Sequence, residues 1–420
     1  MKKNIILLVG FILVLAISIS ISFLDPKDIV IEWGYFEAGE YEQYGITIHE
    51  IPDKGFLLGG TTYTENNNRD IIITKLNEQR EIEWQRYYGG SEFDHLEDLK
   101  LTLDGGFIAV SGSSSADAGN CELIGTRDVW IIKADKSGNI QWEQKYGGTD
   151  DDYPTAIIHT LDGGFLITGY TASDDHHFKG NHGKKDAFVL KLNKRGKIEW
   201  SRLYGGFDDE EADACLEVKD GYIIAADTNS VDADISKQRN NRSIWLFKIN
   251  KEGNIIWNRV FQKNEDQGVE TIVAGPDGGF LLAGFTAVPG MNTEDFYLMK
   301  TDDKGLSQWK KTFGGDSREL SCALTTTKDG HYLFAGISGS QDEFFEQNLG
   351  WWDVWIIEMD KQGEIKRKKH LGGSNYDHVL FIETTKDDDI LITGLTDSQD
   401  GDFEEIKSEK ISGFYFKLNR

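Results

Sequence analysis

Seven polar residues occupy one place in a recurring phrase: Gln43, Asp94, Asp152, Glu210, Gln267, Glu319 and Asp377. Each stands ten residues after a tryptophan or, in the last case, after Arg367. Five of the seven are carboxylates, and rings follow some of them: Tyr44, His95, Tyr153 and His378. Gathered at one mouth, they would form an acidic collar, and several carboxylate oxygens suit a hard cation such as Ca²⁺. The competing use is local, because a carboxylate just after a Gly-Gly turn can cap it. A third use needs only two of them, since a glycosidase or lyase places an acid and a base carboxylate on either side of the scissile bond.

Three other groups have chemical potential. Phe344, Phe345, Trp351 and Trp352 form a large apolar set within one segment, a composition suited to a protein or sugar partner if exposed. Asp397, Asp400 and Asp402 flank Gly401 like part of an acidic calcium loop, without completing the EF-hand pattern. Asp174, Asp175, His176, His177 and His182 are ligand types without a strict metal spacing. No nucleophile elbow, zincin helix, Walker loop or dinucleotide glycine loop occurs. The residues therefore favour binding over catalysis, with a carbohydrate-active enzyme as the alternative.

The charge narrows the partners. Asp and Glu total 71 against 45 Lys and Arg, a formal charge of −26. Nucleic acid is excluded as a partner, because duplex binding needs cations that neutralise phosphates. Cys121, Cys215 and Cys322 make no disulfide framework, and Cys215 and Cys322 are expected to be buried thiols. Lys2 and Lys3 precede an apolar run at 5–24, which reads as an export signal or an uncleaved anchor. Two lysines on the inner side place the rest outside the cytoplasm, secreted or tethered, with the membrane met only through residues 1–25.

The elements that must position these residues follow from a repeat. Trp33, Trp84, Trp142, Trp200, Trp257 and Trp309 recur every 51 to 58 residues. In the third unit, strand signals fall at about 154–160, 164–171, 186–192 and 197–203. Asp-Gly-Gly at 104–106, 162–164 and 277–279 supplies tight hairpins, and Lys-x-Gly precedes the tryptophan strand. A hydroxyl recurs late in each unit's second strand. Asp128, Asp186 and Asp353 open third strands, and this set reads as internal hydrogen bonding that ties strands together. Four antiparallel strands at this period describe propeller blades, each unable to bury both faces alone. The chain ends on a third strand, at 414–418, and the missing fourth is offered by 29–33. The expected fold is thus a monomeric, all-β, seven-bladed propeller over 27–420, closed by its first strand. Its dissimilar loops at 115–127, 172–185, 229–242, 339–352 and 397–411 share one face, where binding is expected.

Several phrases carry a resemblance: Tyr-Gly-Gly-Ser/Thr-x-x-Asp, Asp-Gly-Gly-Phe, Gly180-Asn181-His182-Gly183-x-x-Asp186 and Lys-x-Gly-x-Ile-x-Trp. They resemble those of secreted and cell-surface β-propeller repeat proteins of bacteria and archaea, over nearly all of 27–420. The resemblance implies architecture and location, not chemistry. Phe261-Gln262-Lys263-Asn264 in the fifth unit and Arg367 in place of a tryptophan depart from the pattern. The Lys-x-Gly-x-Ile-x-Trp phrase is also similar to quinoprotein dehydrogenase repeats, which have eight blades and often adjacent cysteines; this chain has neither.

Overall fold

The computed structural model describes residues 29–420 except 38–40, 67, 233, 236–241, 262–264, 288–292, 343, 347 and 407–409, and the side chains of Ser321 and Cys322. The export segment expected at 1–25 lies outside the described residues. No helix among the described residues is long and apolar enough to cross a membrane.

Seven four-stranded antiparallel sheets make the fold. Blade 1 comprises β2 (Gln43–Glu50), β3 (Phe56–Tyr63), β4 (Arg69–Leu76) and β5 (Ile82–Tyr88). Blade 2 has β6 (Asp94–Leu101), β7 (Phe107–Ser113), β8 (Asp128–Ala134) and β9 (Ile140–Tyr146). Blade 3 has β10 (Asp152–His159), β11 (Phe165–Thr171), β12 (Asp186–Leu192) and β13 (Ile198–Tyr204). Blade 4 has β14 (Glu210–Val218), β15 (Gly221–Thr228), β16 (Ser243–Ile249) and β17 (Ile255–Phe261). Blade 5 has β18 (Asp266–Ala274), β19 (Phe280–Ala287), β20 (Glu294–Thr301) and β21 (Ser307–Phe313). Blade 6 has β22 (Glu319–Thr326), β23 (Tyr332–Ser338), β24 (Asp353–Met359) and β25 (Ile365–Leu371). Blade 7 is β26 (Asp377–Thr384), β27 (Ile390–Thr396), β28 (Ser412–Asn419) and, as its outer strand, β1 (Val30–Glu37).

The ring closes as the repeat requires. β1 pairs antiparallel with β28, from Val30 opposite Asn419 to Glu37 opposite Gly413. The innermost strands pack in a circle, each against the next, with β26 returning to β2. The core lies between blades. Ile108, Val110 and Ile131 of blade 2 pack with Ile157, Phe165, Ile167 and Leu190 of blade 3. The middle strands are therefore largely dry on both faces; β7, β8, β11 and β12 are buried at every position. Full burial of each large apolar side chain among them is worth about 1.5–3 kcal/mol, and the neighbouring blade supplies the covering surface.

Outer strands are tied by the tryptophans. The Trp200 indole N–H donates to the Lys251 carbonyl at 2.9 Å, and Tyr204 Oη–H donates to the Gly253 carbonyl at 2.6 Å. That turn needs glycine twice. Gly196, the equivalent residue one blade earlier, sits at φ +74°, and a Cβ there would lie 2.7 Å from the Trp142 ring.

The irregular sixth blade contains a matched exchange. In the other blades a lysine faces the tryptophan across the third and outer strands, as Lys133 faces Trp142 and Lys191 faces Trp200. In blade 6, Glu358 faces Arg367, whose Nε donates to Glu358 Oε2 at 2.8 Å. Glu358 also receives Arg420 Nη2 at 2.6 Å.

Candidate binding face and channel

Each innermost strand carries one β-bulge. The ladder shifts between Leu96 and Asp98, between Ala212 and Ala214, and between Val269 and Thr271, with the same break in the other four strands. The skipped residues are Ile46, Glu97, Thr155, Asp213, Glu270, Cys322 and Leu380. A bulge twists a strand and re-aims its side chains. Here it decides which residues reach the axis.

The collar expected from Asp94, Asp152, Glu210, Glu319 and Asp377 does not face the channel. All five side chains are buried, and each is bound to the Gly-Gly turn before it. Asp94 Oδ2 accepts from Gly90 N at 2.8 Å and Ser115 Oγ at 2.7 Å. Asp152 accepts from Gly148 N (2.6 Å), Ser173 Oγ (3.0 Å) and Thr171 Oγ1. Glu210 accepts from Gly206 N and Thr228 Oγ1, both at 2.7 Å. Glu319 accepts from Gly315 N (2.9 Å), Ser338 Oγ (2.8 Å) and Ser340 Oγ (2.6 Å). Asp377 accepts from Gly373 N (2.7 Å), Ser398 Oγ (3.1 Å) and Thr396 Oγ1. Burial outweighs these donors, pushing Asp152 up to about 6 and Asp377 up to about 7.

The recurring hydroxyls thus serve the ring carboxylates rather than the aspartates opening third strands. Those aspartates hold the ends of the loops. Asp128 accepts from Ile124 N (2.7 Å) and Gly125 N (3.2 Å), Asp186 from His182 N (3.1 Å), and Asp353 from Leu349 N (2.5 Å).

The structure does not bring Asp397, Asp400 and Asp402 together on one point. Their carboxylates accept from three different amides of one turn: Tyr376 N (2.7 Å), Ser374 N (2.7 Å) and Gly372 N (3.0 Å) respectively. Among the described residues, no three His, Cys, Asp or Glu side chains converge as metal ligands.

The aromatic set divides. Phe345 is fully buried against Phe296 and Trp355, and Phe344 stacks on Phe313 with centroids 5.6 Å apart. These two anchor the loop instead of facing a partner. Trp351 is 67% exposed and stacks on Tyr376, itself 42% exposed, at 5.7 Å and 28°. Trp352 meets the same tyrosine edge-on at 5.6 Å. The result is an exposed aromatic step where blade 6 meets blade 7.

On the axis, six of the seven innermost strands line a cavity of 460 Å³. One wall carries Glu97, Asp98, Glu211, Asp213 and Glu270; the opposite wall carries Ala323, Leu324, Leu380, Phe381 and Ile382. Glu270 lies among the walls of this cavity and its side chain is exposed to it. This confinement, with Asp227 and Glu211 nearby, pushes its carboxyl up to about 8. Asp213 is pushed up strongly by burial and by the same acidic neighbours, while Asp227 stands at about 6. Arg242, whose Nε meets Asp227 Oδ2 at 2.7 Å, opposes these shifts.

A second column of residues rims the mouth on the loop face. Arg69, Arg127, Lys185, Arg242, Glu294 and Trp352 each immediately precede the Asp or Ser at the start of a third strand: Asp70, Asp128, Asp186, Ser243, Asp295 and Asp353. Twenty-four residues later stand Phe93, Asp151, Asp209, Asp266, Arg318 and Tyr376. Three of these pairs are joined by isolated parallel backbone bridges: Arg127 with Asp151, Lys185 with Asp209, and Trp352 with Tyr376. Arg127 holds Asp151 through two bonds of 2.7 and 2.9 Å, and Arg318 Nε reaches Glu294 at 2.5 Å. Cations lie over rings, Arg127 over Tyr153 at 4.1 Å and Lys185 over Tyr170 at 3.8 Å. Sequence reasoning missed this column, although the constant spacing of 24 makes it readable once units are aligned on their opening Asp or Ser.

No known protein-family model matches the chain. The regulatory protein FlaEY of Caulobacter vibrioides is 19% identical over 211 residues, 45% of this chain but only 22% of that protein's length. Among solved structures, a protein of unknown function from Dyadobacter fermentans aligns over 94% of this chain and all of its own, with 9% identity and a TM-score of 0.50. The extracellular domains 1–2 of Drosophila semaphorin 1b align over 94% of this chain and 88% of theirs, with 7% identity and a TM-score of 0.48. At such identities the likeness is one of fold, and the fold is a seven-bladed β-propeller.

Proposed function

We propose that this chain is a binding or scaffold propeller working outside the cytoplasm, and that its loop face holds a protein or glycan partner. The observation that carries the reading is the exposed step of Trp351 and Tyr376, two stacked rings presented just before the first residues of β24 and β26. Aromatic anchors of this kind dominate binding energy because they bury large area at little entropic cost. The repeat phrases similar to those of secreted and cell-surface propellers, with the basic-then-apolar start at Lys2, Lys3 and 5–24, support the location. The carboxylates most conspicuous in the sequence are committed to turns, which favours binding over hydrolysis by that ring.

The test is a panel of immobilised glycans and candidate surface proteins probed with the full chain. Trp351→Ala should weaken capture of the chosen partner at least tenfold. Leu161→Ala, at an exposed hairpin on the opposite face, should leave it unchanged. Equal loss from both variants, or loss from Leu161→Ala alone, contradicts the assignment of the face.

A further inference from the structure

We propose that the cavity where blades 1, 2 and 3 meet on the loop face binds a uronic-acid residue of a glycan, with Arg69 as the counter-ion of the sugar carboxylate. The proposal rests on the reading of that face as a binding surface and names what one part of it takes.

The argument begins with a missing acid. Along the rim, Arg127 is paired with Asp151, Lys185 is joined to Asp209 through a backbone bridge, and Arg242 has Asp227 beside it and Asp266 accepting its backbone N–H at 3.2 Å. Glu294 and Arg318 reverse the order of charge. At the corresponding place opposite Arg69 stands Phe93. Arg69 has no carboxylate partner among the described residues, in a chain whose formal charge is −26. Its Nε is buried and unpaired. Its Nη2 donates to Tyr63 Oη at 2.6 Å, and its guanidinium lies 4.9 Å from the Tyr63 ring centroid and 5.8 Å from that of Phe93. The fork is thus held by rings, with donors left over for a planar two-oxygen acceptor.

The walls suit a sugar. The cavity measures 480 Å³ and is lined by Arg69, Phe93, His95, Ser114, Arg127 and Tyr153, among others. Phe93 is 46% exposed and offers an aromatic face to ring C–H groups. A Cβ on Gly112 would lie 2.5 Å from the Tyr153 ring, so the glycine lets that ring lie against the strand. Ser114, Thr126 and Asp151 offer partners for hydroxyls. Asp151 cancels Arg127, leaving one net positive charge. That matches a monoanionic carboxylate and opposes a phosphate dianion.

Isothermal titration of the full chain with trigalacturonic acid and with a glucuronic acid oligomer tests this, using the methyl-esterified trimer, a neutral trisaccharide and inorganic phosphate as comparisons. At least one uronide should bind at low salt. The ester and the neutral sugar should bind at least tenfold more weakly, and phosphate should not compete. Arg69→Gln should cost at least tenfold, and Arg69→Lys less. Phe93→Asp supplies the acid found elsewhere on the rim; it should abolish uronide binding without lowering thermal stability, which separates lost binding from lost folding. No binding of either uronide overturns the proposal, as do ester binding equal to acid, competition by phosphate, or full affinity in Phe93→Asp. If uronide binding fails while Trp351-dependent capture of another partner persists, the cavity assignment falls and the loop-face reading stands. If Arg69-dependent uronide binding holds while Trp351→Ala alters capture of no partner, the aromatic step falls and the cavity stands.

Discussion

Asp377 shows what one buried carboxylate does in this fold. It is fully buried and satisfies Gly373 N–H, Thr396 Oγ1–H and Ser398 Oγ–H together. Asp377→Ala leaves those three donors without an acceptor and should cost about 2–4 kcal/mol in urea unfolding. Asp377→Asn should cost less, because burial already holds the native carboxyl to about 7. The pH dependence follows from the same residues. Asp152 and Asp227 at about 6, Asp377 at about 7 and Glu270 at about 8 all bind protons more tightly folded than unfolded. Their contribution is complete below the ordinary carboxylate range and is lost as pH rises through these values, so stability should fall between about pH 5 and pH 8. Glu270→Gln should flatten the upper end of that slope; an unchanged slope contradicts the channel electrostatics. Below about pH 4 the trend reverses, because carboxylates such as Asp162, held at about 2 with Lys191 alongside, begin to protonate.

At the scale of elements, the sequence revealed positions better than directions. The ring of Asp94, Asp152, Glu210, Glu319 and Asp377 was placed correctly at the start of the innermost strands, and so was the Gly-Gly turn before it. The direction of the side chains was not legible, because alternation assigns strand faces only until a bulge intervenes. The bulge at Glu97, Asp213 and Glu270 carries no local signature that periodicity detects, so the true channel acids went unnamed. Phe345 could not be told from Trp351 by composition, since both lie in one loop; packing against Phe296 and Trp355 separated them. Arg367 reads in the sequence as a departure from the tryptophan pattern, and the structure pairs it with Glu358 as one exchanged pair in blade 6. Glu358→Lys should lower the melting temperature by bringing a third cation to Arg367 and Arg420, and adding Arg367→Trp should recover part of the loss. A coupling of at least about 1 kcal/mol between the two substitutions is expected, read by a double-mutant cycle in urea.

At the scale of the whole molecule, the loop face exists only because seven sheets that cannot bury themselves are closed into a ring. Rim pairs span neighbouring blades, as Arg127 and Asp151 do, so the mouth depends on the joint that closes the ring. That joint is blade 7, which is assembled from both ends of the described chain: β1 pairs with β28 in the register Gly34–Phe416 and Tyr35–Tyr415. Closure was legible because 29–33 carries the same phrase as the other outer strands and 414–418 carries that of a third strand. Amide hydrogen exchange of β1 tests it most directly. The amides of Val30–Glu37 that bond to β28 should exchange as slowly as those of the other outer strands, β9 and β13. Exchange of those amides at the rate of an unstructured peptide, with β26, β27 and β28 still protected, would contradict a ring closed by its first strand.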